Sequence, residues 1–143
     1  MSKHGDRDPI NLLSFGVFIV LVSFIIINFP NVFNDLFLWL RGLEFGKIMI
    51  IPNSLIRPLI WLLIGTGVWN LLSCCLRLLT NINKRKSISD GFKGLFFLVA
   101  SFFFENYSHN LISFTSLLSG LLISLGTLIV LSSILSYKYL KHN

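Results

Sequence analysis

The sequence predicts an all-α, polytopic membrane protein: a single domain over residues 1–143, with four transmembrane helices and one interfacial amphipathic helix. Three observations predict it. Apolar runs long enough to cross a bilayer occupy most of the chain, since about 20 residues rising about 1.5 Å each span a hydrocarbon core of roughly 30 Å. Hydrophobic residues make up 54% of the sequence and the mean hydropathy is +0.77, which leaves too little polar surface to surround these helices in water. Lysine and arginine gather at the start, at 83–86 and near the end, where they flank apolar runs. The net charge of +6 is therefore a feature of topology, and a nucleic-acid partner is not expected.

The first span is the run 12–29, whose interior carries no charge and only Ser14, Ser23 and Asn28 as strongly polar residues. A signal peptide also has charged residues ahead of an early apolar run. Here the run exceeds a usual h-region and no small-x-small cleavage site follows, Ala100 being the sole alanine, so the span is expected to be retained. Residues 31–43 are too apolar for an ordinary loop and too interrupted for a span. Val32, Phe33, Leu36, Phe37, Leu40 and Leu43 recur at helical steps, with Asn34, Asp35 and Arg41 elsewhere on the wheel. This predicts an amphipathic helix lying in the interface with Trp39 at headgroup depth, or a cap folded over the bundle. Gly42, Gly46 and Pro52 then break the chain into a short extended return through 48–51.

The second span, 59–79, is entered through Pro58, which is tolerated where the first helical turn has donors to spare. The third, 90–107, opens on Ser89 and Asp90 as N-cap candidates and has a short uncharged core. The fourth, 111–137, exceeds what a bilayer requires, so it tilts or projects beyond the interface. The two halves show no inverted repeat of the kind that supports a transporter.

Placing the N-terminus in the cytoplasm puts Lys3, Arg7, Arg77, Lys84, Arg85, Lys86, Lys93, Lys138 and Lys141 on that side, against Arg41, Lys47 and Arg57 on the other. The excess predicts a multi-pass protein of the cell membrane with both termini cytoplasmic. Trp61 and Tyr107 then fall at the outer interface and Tyr137 and Tyr139 at the inner one, while Trp69, near mid-span, fits neither belt. Lys84, Arg85 and Lys86 are expected to contact anionic lipid, at about 1 kcal/mol per charge near the surface.

A small and polar stripe, Thr66, Gly67, Asn70, Ser73, Cys74 and Arg77, follows helical spacing down the second span. Asn70 lies at the midplane, and the expected partner for its amide is another helix, in a bond worth about 0.6 kcal/mol on average. Ser116, Gly120 and Ser124 repeat the theme at four-residue steps in the fourth span, a pattern that lets a second backbone approach closely. Gly67, Asn70, Ser73, Gly120 and Ser124 are thus the expected helix-packing residues. Glu105 lies about 22 Å along the third span from Asp90. That depth is the opposite interface, where Arg57, preceding the second span, is its expected ion-pair partner.

No catalytic, metal or cofactor site is expected. Cys74 and Cys75 are adjacent, about 100° apart around a helix, which makes them packing residues rather than a CxxC pair. His4, His109 and His142 lie outside the spans, so no mid-membrane pair is present to ligate haem or to serve a membrane serine as base. The HExxH motif is absent, and Gly65-Thr66-Gly67 lacks the third glycine and preceding strand of a dinucleotide site.

Pro30-Asn31-Val32-Phe33, Trp39, Pro58, Gly67-Val68-Trp69-Asn70 and Arg77 together resemble a pattern in small uncharacterised integral membrane proteins of archaea. The resemblance runs from the exit of the first span to the end of the second and implies no activity. The function expected is non-catalytic: an accessory or scaffold subunit of a membrane complex, working through helix contacts as a homo- or hetero-oligomer in the lipid bilayer. The alternative is a small oligomeric channel or transporter using the polar face around Asn70. Against it, the second span runs through 59–64 without a polar break.

Overall fold

The structure, a computed structural model, describes residues 9–42, 51–80 and 84–141. These residues form five α-helices and no strand: α1 Pro9–Asn28, α2 Val32–Arg41, α3 Asn53–Leu79, α4 Lys84–Ser108 and α5 Phe114–Lys141. Four of them, α1, α3, α4 and α5, are long and apolar enough to cross a membrane. The all-α, four-span class with an additional amphipathic helix is therefore the observed one. Most of the extended return expected through 48–51 lies outside the described residues.

Local chemistry explains where each helix begins. Pro9 occupies the first position of α1, where its missing N–H costs nothing. α3 starts at Asn53, ahead of the expected 59, because Pro52 takes the cap position with φ −65° and ψ 142°. Pro58 consequently sits inside α3, and lacking an N–H it withholds the helical bond from the carbonyl of Ser54. α4 starts at Lys84 and not at 90, since lysine and arginine are good helix formers and Asp90 belongs to the face turned toward α3. α5 starts at Phe114 and not at 111. Asn110 adopts a left-handed φ of 57° that stops α4, and the hydroxyl of Ser113 caps α5 by accepting from the Ser116 N–H at 3.2 Å.

The spans alternate in direction. Leu21 of α1 lies against Gly65 of α3, and Cys74 of α3 lies against Ser87 and Gly91 of α4. Gly120 of α5 lies against Phe103 of α4. The α3–α4 hairpin has the most extensive contact, α5 packs on α4 and α1 on α3, so the helices stand in the row α1, α3, α4, α5. One end of this open bundle carries the α3–α4 turn and is called here the hairpin end; the other carries α2. Few hydrophobic side chains are buried, Ile56, Ile60, Ala100 and Leu117 among them, while most of the leucine, isoleucine and phenylalanine of α1 and α5 is exposed. In a bilayer such surfaces face acyl chains or other helices, with no hydrophobic drive to bury them.

α2 packs one side against α3 and exposes the other. Val32, Asp35 and Trp39 are half-buried, whereas Phe33, Leu36, Phe37 and Leu40 are exposed and the Arg41 guanidinium lies 4.3 Å from the Phe37 ring centre. Most of its apolar side chains look away from the spans.

Candidate functional site

Two polar clusters stand at opposite ends of the bundle. At the hairpin end the Arg77 side chain is 1% exposed and its Nε donates to Asp90 Oδ2 at 2.9 Å. Its Nη2 donates to Asn11 Oδ1 at 3.2 Å, and the Lys86 ammonium donates to the same Asn11 oxygen. Ser87, fully buried one turn before Asp90, donates to the Cys74 carbonyl at 2.7 Å. Three helices are thereby joined through one guanidinium. An arginine presents several donors in a fixed fork, so it can hold two acceptors on different helices at once. The pair acts as a clamp between α3 and α4.

Asp90 and Arg77 were legible as charges but not as partners: the sequence reading places Asp90 at a helix cap and Arg77 on a stripe. A signal was present. Opposite charges three residues before Thr80 and six after Lys84 fall at similar heights on two antiparallel helices joined by few residues. Lys86, expected at anionic lipid, is turned onto Asn11, while the side chains of Lys84 and Arg85 lie outside the described residues.

Between the ends, polar side chains answer to their own backbones. Ser14, Thr66, Ser101 and Ser124 each donate to a carbonyl three or four residues earlier, at 2.7 to 2.9 Å. Asn70 does the same, its Nδ2 donating to the Thr66 carbonyl at 2.8 Å, so the expected interhelical bond is replaced by a local one. The acceptor one turn back is always within reach, whereas a partner on another helix depends on register. Asn70→Leu is accordingly expected to change stability by less than about 0.5 kcal/mol. Unfolding in mixed micelles measures this, and a loss well above 1 kcal/mol would reveal a partner on another helix.

Packing residues fall into place more closely. Gly67 faces Gly94, whose carbonyl would lie 3.1 Å from an added Cβ, and Gly120 admits the Phe103 ring. Ser73 is buried with its hydroxyl unpartnered, so its small size is what the contact uses. Ser124 is half-buried beside Leu121. Trp69, which fits neither aromatic belt, donates from Nε1 to the Ser14 hydroxyl at 2.9 Å and so joins α3 to α1.

At the α2 end the space between α3 and α4 measures about 650 Å³, and a smaller, mostly apolar gap of about 350 Å³ lies between α4 and α5 near Lys93. The larger cavity is walled by Ser54, Arg57, Trp61, Glu105 and His109. Glu105 and Arg57 thus share a site, but the Glu105 carboxylate is engaged by His109 at 3.1 Å in place of the expected Arg57. Among the described residues no group of three or more His, Cys, Asp or Glu side chains converges as a metal site.

The fold and its two clusters define a class: an all-α, multi-pass membrane protein whose spans are clamped at one end by a buried ion pair and open at the other into a charged cavity. Comparison with protein-family models, with characterised proteins and with solved structures finds no match to this chain.

Proposed function

We propose that the protein is a non-catalytic accessory or scaffold subunit of a larger complex in the cell membrane, acting through helix contacts. The exposure of the outermost spans supports this reading. Gly16 of α1 and Gly126 of α5 have nothing within 4 Å of where a Cβ would stand. A glycine inside a helix costs about 0.5–1 kcal/mol relative to alanine, and a close-packed helix from another chain would offset that cost. The conducting alternative draws less support, because the second span has no polar residue through 59–64 to continue a path from Asn70. The likeness to small archaeal membrane proteins belongs to the same proposal and adds no activity to it.

Native mass measurement from mild detergent tests it. The wild type is expected to travel with a second protein, and Gly126→Phe is expected to release it without lowering the melting temperature. A homo-oligomer would favour the channel reading, and a wild-type monomer would sink both.

The same proposal places both termini and residues 83–86 in the cytoplasm. In a background lacking Cys74 and Cys75, single cysteines at Ser2, Thr80 and Asn143 should resist an impermeant thiol reagent in intact cells, while one at Lys47 should label. Thr80 serves for the hairpin because it is exposed, whereas Ser87 is buried. Labelling of Thr80→Cys from outside would reverse the orientation.

A further inference from the structure

The cavity at the α2 end holds charges that the fold leaves unused. Arg57 is exposed and, among the described residues, makes no ion pair, although it lines both this cavity and an adjoining one of about 270 Å³ that contains Asp35. Beside it α3 begins. The cap residue Pro52 has no side-chain bond to offer, so the N–H groups of Asn53 and Ser54 lack acceptors within the helix. Free N–H groups at a helix start together with a guanidinium one turn on are a phosphate-binding chemistry. Across the same cavity stands Glu105, with one carboxylate oxygen on His109 and the other facing no partner among the described residues. A cation-accepting group therefore faces an anion-accepting one.

The wall below these groups is apolar. Ile60, Trp61 and Ile64 continue the cavity down α3 toward the membrane interior, and the Trp61 ring is exposed. Polar groups at the level of the helix ends and an apolar track beneath them match an amphipathic molecule standing in the bilayer.

We propose that this cavity binds an aminophospholipid, a phosphodiester bearing a primary amine. The phosphate sits on Arg57 and the first turn of α3, the ammonium on Glu105, and an acyl chain on Ile60, Trp61 and Ile64. The site is independent of any partner subunit, so it stands or falls separately from the scaffold reading. Selectivity comes from the amine: ethanolamine offers N–H donors to a carboxylate, choline carries the same charge with none, and glycerol carries neither.

Native mass spectrometry of protein released from nanodiscs of phosphatidylethanolamine, phosphatidylcholine and phosphatidylglycerol in equal parts tests the proposal. Phosphatidylethanolamine should be retained over phosphatidylcholine by a factor on the order of five to ten, the worth of one charge-assisted hydrogen bond at a half-exposed carboxylate. Glu105→Gln should bring phosphatidylethanolamine down to the phosphatidylcholine level, Arg57→Gln should lower both, and Arg57→Lys should restore part of the loss. Arg57 and Glu105 are exposed, so all three variants should melt like the wild type. Equal retention of the two zwitterionic lipids by the wild type, stronger retention of phosphatidylglycerol, or an unchanged preference in Glu105→Gln would overturn the assignment. Displacement by glycerophosphoethanolamine at equal concentration would overturn the lipid as the occupant.

Discussion

Truncating Arg77 to alanine is expected to lower the unfolding free energy by about 3–5 kcal/mol, because it leaves the Asp90 carboxylate buried without its counter-charge. Asp90→Ala should also be destabilising, because it removes the counter-charge of a guanidinium that is 1% exposed. The pair itself is a different matter. Bringing two charges out of water opposes their attraction, so replacing both by apolar residues of similar volume is often neutral or stabilising. The double variant Arg77→Met, Asp90→Leu should therefore be less destabilised than either single one. Unfolding of the wild type, Arg77→Met, Asp90→Leu and the double variant in mixed micelles completes the cycle. Single variants within about 0.5 kcal/mol of the wild type would show that the pair carries no structural weight.

Gly94→Val is expected to cost about 1–3 kcal/mol through overpacking at the crossing of α3 and α4. A Cβ at Gly94 would stand 2.9 Å from the Gly67 carbonyl oxygen and 2.9 Å from Leu71 Cγ. The leucine can turn aside, but the carbonyl is backbone, so the two helices must separate along the contact that organises the bundle. The control carries the opposite sign. Gly126→Ala meets nothing within 4 Å in the isolated chain, and replacing a helical glycine by alanine gains up to about 1 kcal/mol. Melting temperatures should fall for Gly94→Val and hold or rise for Gly126→Ala. Equal responses would mean that the glycine-to-glycine contact does not set the helix spacing.

The two clusters were legible to different depths. Arg57 and Glu105 could be placed at the same end of the molecule from span order and helix rise alone, and they do line one cavity. Which group Glu105 meets was not legible, because His109 follows four residues later, just past the end of α4, and engages it. Asn70 failed for a related reason. Its spacing with Gly67 and Ser73 marks a face, but a face does not say which acceptor is nearest, and the Thr66 carbonyl on its own helix is nearer than any neighbour's.

By itself the sequence determined that this chain is helical, how many times it can cross a membrane, and that an amphipathic helix separate from the spans falls within 31–43. Those properties are sums over consecutive residues: hydropathy adds along a run, and a periodic pattern repeats within it. The tertiary structure alone decided that Asp90 clamps Arg77 and that Trp69 is tied to Ser14. Each depends on the height and rotation of one helix against another. Close approach between Gly67 and Gly94 sets that register, and no window along a single helix contains it.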